Sequence, residues 1–113
     1  MAVLQRLLST KRSKADQARV EQRFRDKLCT NKKETAPGSE TIVDCHSKAG
    51  RRRNLCDACA AEFYRTLNSF GDDAQAAAEY EARMIREGLV LESGEAIRLN
   101  RTSLISQRRR KRA

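Results

Sequence analysis

The chain has 113 residues, of which 39% are hydrophobic, 35% are charged and 4% are aromatic, with no Trp. This length and polarity fit one small domain with polar extensions and exclude a large apolar core. A core of this size usually needs a metal, disulfides or a partner for stability, and the four cysteines are the candidates.

The charge is sorted along the chain. The net charge of +9 is made up of +7 in residues 1–33, zero in 34–70, −4 in 71–100 and +6 in 101–113. The basic ends favour a polyanionic partner, nucleic acid first, and the acidic stretch before the tail favours a basic protein surface.

The location of the protein is expected to be intracellular, in the cytoplasm or the nucleus or nucleoid. No apolar run approaches the ~20 residues of a membrane span, and no secretory segment follows Met1. Residues 1–12 combine bases, hydroxyls and leucines without an acid, which is also typical of a mitochondrial presequence. The mitochondrial matrix is therefore the alternative, and neither a membrane nor a small-molecule substrate is expected.

The first third of the chain predicts helices. Apolar residues at helical spacing predict a short helix over residues 2–9. Ser13 with Asp16 three positions on predicts the start of a longer helix, which Val20 and Leu28 extend to about residue 28. Residues 1–28 are thus predicted to be a basic helical arm.

The middle of the chain predicts a loop, a hairpin and a helix. Residues 30–39 contain the only Pro and predict a loop. Residues 41–45 and 51–55 predict two strands of a β-hairpin, with a turn between them. Asp57 to about Phe70 predicts a helix with Phe63 on its buried face, ended by Gly71.

The last third predicts a helix over residues 73–87, stopped by Gly88, and a small hairpin over 89–99 that turns at Ser93-Gly94. Residues 101–113 predict a basic, disordered tail. The expected fold class is a small zinc-stabilised α+β domain. Its predicted order is a basic arm (1–28), a zinc module (29–70), an acidic helix with a hairpin (71–100) and the tail.

The four cysteines, Cys29, Cys45, Cys56 and Cys59, predict one structural zinc ion per chain. Their spacing is C-x15-C-x10-C-x2-C, in which the close pair reaches one ion from a single turn. Disulfides and free thiols are the alternatives, but disulfides are disfavoured without a secretion signal. His46 could replace Cys29 as a ligand.

Residues 44–59, with Asp44-Cys45-His46 followed by Asn54 and the Cys-x-x-Cys pair, resemble the His-Asn-His nuclease family. That family places a closing His after the last Cys, where this chain has Ala60. The chain has a single His, which cannot serve as both general base and metal ligand. The resemblance therefore implies only a hairpin, zinc and helix, as in treble-clef and zinc-ribbon folds, and no enzyme is expected.

The basic residues predict contact with nucleic acid, whether DNA or RNA. Arg51 to Arg53, next to the close cysteine pair, suit bidentate phosphate contacts. The full set of predicted contact residues is Arg19, Arg23, Lys48, Arg51, Arg52, Arg53, Arg108, Arg109, Arg110, Lys111 and Arg112. The expected function is a ribonucleoprotein component or a transcription regulator. The alternative is an adaptor that contacts a polymerase or ribosome through the acidic helix 73–87.

Overall fold

The computed structural model describes residues 9–101, which form a small α+β fold. Across this part of the chain there are four helices and one antiparallel pair of strands. In chain order they are α1 (Lys14–Arg25), β1 (Lys32–Glu34), β2 (Ile42–Asp44), α2 (Asp57–Ser69), α3 (Ala74–Arg86) and α4 (95–101). The predicted helix over 2–9 and nearly all of the predicted tail lie outside the described residues.

Helix α1 begins where the sequence predicts. The Ser13 Oγ accepts a hydrogen bond from the Asp16 N–H at 3.1 Å and so caps the first turn. The helix ends at Arg25, three residues before the predicted end, because Lys27 takes a left-handed φ of +58°. Leu28 then forms an isolated antiparallel bridge with Lys48.

Helices α2 and α3 are also confirmed, and each ends within a residue of its prediction. Gly71 and Gly88 follow them with φ of +57° and +75°, a backbone geometry that glycine adopts without strain. Asp73 caps α3 by accepting the Ala76 N–H at 3.0 Å. No helix among residues 9–101 is long and apolar enough to cross a membrane.

The predicted pairing of residues 41–45 with residues 51–55 in a hairpin is wrong. Residues 42–44 do form a strand, but it pairs with β1, inside the segment predicted as a loop. Residues 51–55 turn, because Arg53 and Asn54 both take left-handed φ values of +54° and +59°. The hairpin therefore lies between Cys29 and Cys45.

The predicted hairpin over 89–99 is also wrong, because residues 95–101 form α4. The Glu95 carboxylate accepts the Glu92 N–H at 2.9 Å, which stabilises the turn that starts this helix. Arg12 holds the same carboxylate in a buried ion pair. Val90 and Leu91, predicted as strand residues, are instead buried in the core.

The core lies where α2, α3 and the chain after α3 meet the cysteines. Phe63 from α2, Ile85 from α3, Leu55 and Val90 are all buried there. Phe63 stacks on Tyr80 with ring centroids 5.8 Å apart, which joins α2 to α3. The apolar core thus directly supports the elements that carry the cysteines.

Candidate metal centre

The β1–β2 hairpin brings Cys29 and Cys45 together. Cys29 lies before β1 and Cys45 follows β2. The fifteen residues between them form the hairpin, so both cysteines lie at its base. The Cys45 N–H donates to the Asn31 carbonyl at 3.0 Å, and the Cys29 N–H donates to the Ser47 carbonyl at 2.9 Å. Two cysteines that are distant in sequence therefore become neighbours.

Helix α2 supplies the other two cysteines. Cys56 is its N-cap residue, and Cys59 lies in its first turn, so both sulfurs face the same point. The positive end of the helix dipole lies beside them. The Cys-x-x-Cys pair thus takes the place that the sequence predicts, at the start of a helix.

The four sulfurs form a compact cluster. All four Sγ atoms lie within 4.8 Å of one another, and the Cys45 Sγ lies 3.9 Å from that of Cys56 and 4.0 Å from that of Cys59. Four thiolates arranged tetrahedrally at about 2.3 Å from zinc would be separated by about 3.8 Å. The cluster is therefore compatible with a metal site.

The disulfide alternative and the exchange of Cys29 for His46 fit less well. All four are free and buried, and their separations far exceed the ~2.05 Å of a disulfide bond. His46 is exposed and does not belong to the cluster, whereas Cys29 is fully buried within it. Cys29, and not His46, therefore completes the cluster of four sulfurs.

The surroundings of the cluster shift the pKa values of three of its cysteines. Burial raises the pKa of Cys29, and it raises the pKa of Cys59 to about 12, helped by Cys56 and Cys29. Burial also acts to raise the pKa of Cys45, but hydrogen bonds from the Ser47 N–H and hydroxyl outweigh it and lower the pKa to about 7. Four thiolates in such a site need a cation to offset their mutual repulsion.

A lysine that the sequence did not single out lies beside the cluster. Negative charge on the sulfurs of Cys45 and Cys59 raises the pKa of Lys33. A cation here in turn favours the negatively charged form of the sulfurs. The sequence did not mark Lys33, because it lies within residues 30–39, which were predicted to form a loop.

Two of the arginines predicted to contact nucleic acid donate hydrogen bonds within the fold around the site. Arg23 donates to the carbonyls of both Cys29 and Cys45, and so ties α1 to the two ends of the hairpin. Arg19 donates to the Asp44 carboxylate at 2.7 Å and to the Gly88 carbonyl at 2.9 Å. Both guanidinium groups are therefore engaged inside the molecule.

The three consecutive arginines divide between two roles. Arg53 points inward, where it donates to the Leu91 carbonyl and to the Glu81 carboxylate. Arg51 and Arg52 are exposed, and the Arg52 guanidinium lies 5.4 Å from the centre of the Tyr64 ring. Lys48 is exposed as well, whereas residues 108–112 lie outside the described part of the chain.

Comparison of the chain with protein-family models, with curated proteins and with solved structures finds no match. The function is therefore inferred from the cysteine cluster and the surface around it.

Proposed function

We propose that Cys29, Cys45, Cys56 and Cys59 bind one structural zinc ion and that the protein is a non-enzymatic nucleic-acid-binding protein. The observation that carries this proposal is the buried cluster of four sulfurs within 4.8 Å of one another. Four cysteine ligands fill a tetrahedral site and leave no position for a substrate. Zinc is the ion that such sites most often hold, with iron as the main competitor.

The zinc site would fix the shape of a basic surface. Residues 46–52, called here the basic loop, run between Cys45 and Cys56 and carry Lys48, Arg51 and Arg52 as exposed cations. The loop is fastened to neighbouring segments by three backbone hydrogen bonds of 2.8–2.9 Å. They are Cys29 N–H to Ser47, Ala49 N–H to Lys27, and Gly50 N–H to Leu55.

The basic loop suits contact with phosphates. Its arginines are held on a short, fastened segment, so less side-chain and backbone freedom is lost when they bind. Lys27 is exposed next to the loop and adds a further positive charge. Together with the basic tail predicted from the sequence, this surface supports a role in a ribonucleoprotein or in transcription, through contacts that do not depend on base sequence.

The acidic-helix alternative receives less support. The Glu81 carboxylate pairs with Arg53, and the Asp73 side chain caps α3, so both serve the fold. Asp72 and Glu87 are exposed and would have to carry most of a contact with a basic partner. We therefore place nucleic-acid binding first and an adaptor function second.

The test is the salt dependence of nucleic-acid binding, measured by fluorescence anisotropy with labelled RNA and DNA. We expect the variant K48A/R51A/R52A to bind more weakly and its salt slope to fall by about two to three phosphate contacts. The control variant K11A/K14A/R65A removes the same charge from exposed positions away from the loop. Equal losses in both variants, or no binding by the wild-type chain at low salt, would contradict the proposed interface.

A further inference from the structure

Strand β1 has one free edge. The Cys45 N–H donates to the Asn31 carbonyl and the Thr35 N–H donates to the Thr41 carbonyl, which fixes the alternation of the ladder. By that alternation Lys33 pairs with β2, whereas the backbone N–H and C=O groups of Lys32 and Glu34 point away from it. No hydrogen bond from within residues 9–101 reaches these four groups.

The free edge is open to another chain. Residues 31–34, together with Ile42 of β2, border a groove of about 470 Å³ whose other wall includes residues of α2 and α3. All three residues of β1 are exposed, and in β2 the Ile42 side chain remains 60% exposed.

The sequence of this edge is complementary to itself. Consider two copies of β1 paired antiparallel, with the two Lys33 residues opposite each other. The backbone groups of Lys32 in each copy then face those of Glu34 in the other copy. Both pairs then use the free N–H and C=O groups and place opposite charges directly across from each other.

The remaining pair in this register brings the two Lys33 residues opposite each other. Their side chains lie on the opposite face from Lys32 and Glu34. This single pair of like charges opposes the two attractive Lys–Glu pairs. Shifting the pairing by two residues would lose both Lys–Glu pairs, place two like charges opposite each other and lose half of the hydrogen bonds.

We propose that two copies of this chain associate through antiparallel pairing of their β1 edges, which gives a four-stranded sheet with strand order β2–β1–β1–β2. A two-stranded hairpin alone is marginally stable, and extending it to four strands stabilises each hairpin. Edge pairing over three residues buries little surface, so the dimer is weak and depends on protein concentration. The inference does not depend on nucleic-acid binding.

The test is sedimentation velocity of the full chain, free of nucleic acid and with its metal content measured, over a range of concentrations. We expect a reversible dimer in the wild-type chain. E34K and K32E each replace two attractive pairs with two repulsive ones, so we expect each to weaken self-association about tenfold or more. E40K makes the same charge change as E34K at an exposed hairpin position outside the strands and is the control.

Two further samples check the register. The double variant K32E/E34K restores opposite charges across the edge and should regain the dimer. Mixing the two single variants should give a heterodimer, because each supplies the charges that the other lacks. A wild-type chain that stays monomeric at every concentration would overturn the proposal. The charged residues of the β1 edge would then serve to prevent pairing with other chains. A dimer that E34K and K32E leave unchanged would overturn it too.

Discussion

Arg12 joins three segments of the fold, and replacing it with Ala should destabilise the protein strongly. Its Nε donates to the Ile85 carbonyl at 2.7 Å and its Nη2 to the Val90 carbonyl at 3.0 Å. The same guanidinium holds both Glu95 oxygens, at 2.5 Å and 2.9 Å. The side chains of this ion pair are only 4% and 7% exposed.

The size of the effect follows from that burial. The R12A variant leaves the Glu95 carboxylate buried without its cation, a change that typically costs about 3–5 kcal/mol. A domain of this length has a total free energy of unfolding of about 5–15 kcal/mol. At about 4 °C per kcal/mol, the midpoint of thermal unfolding should fall by about 12–20 °C.

Urea and thermal unfolding at pH 7, followed by circular dichroism on metal-loaded protein, would measure this loss. The control is K11A, which removes the exposed neighbouring cation and should change the free energy of unfolding by no more than about 0.5 kcal/mol. A loss of less than about 1 kcal/mol in R12A would refute the reasoning that this ion pair anchors α1 to the chain after α3.

Two further predictions concern the same region. Burial acts to raise the pKa of Glu95, but Arg12 and the Glu92 N–H outweigh it and hold the pKa below its usual 4.5. The stabilisation from this carboxylate is therefore complete above about pH 4.5 and is lost as the pH falls through the pKa of the folded state. In E95Q the free energy of unfolding should consequently fall less steeply at acid pH, which flattens the acid limb of its profile against pH. An unchanged acid limb would contradict this assignment. G88A should lower the free energy of unfolding by at least about 1 kcal/mol more than G94A does. Both glycines have a positive φ, so the backbone strain is shared, but only at Gly88 would the new Cβ crowd Val20, at 3.2 Å. Equal losses in denaturant titrations would show that the contact has no effect.

The helices could be predicted from the sequence because their ends are marked locally. Ser13 and Asp73 cap the starts of α1 and α3 with their own side chains, and Gly71 and Gly88 follow the ends of α2 and α3. These signals depend on a few neighbouring residues and do not require knowledge of the packing.

Strand β1 could not be predicted in the same way. Lys32, Lys33 and Glu34 are all charged and exposed, so they show no alternation of apolar and polar residues. The turn at Arg53 and Asn54 was missed because contacts made far along the chain, with Leu91 and Glu81, hold Arg53 inward. Tertiary contacts decided both segments.

The role of an arginine was the hardest feature to predict. A count of charge does not distinguish a guanidinium in solvent from one that donates to backbone carbonyls. One signal was available for Arg19 and Arg23, which lie four residues apart on α1 and directly precede Val20 and Phe24 of its apolar seam. No comparable signal marked Arg12, whose partners Ile85, Val90 and Glu95 lie more than seventy residues away.

The central claim is that a zinc ion holds the four cysteines together, and metal analysis of the purified full chain tests it most directly. We predict one zinc per chain by mass spectrometry, and loss of cooperative unfolding when zinc is removed by a chelator or when C56S is introduced. A wild-type chain that contains no metal, or a C56S chain that stays folded without metal, would contradict the account.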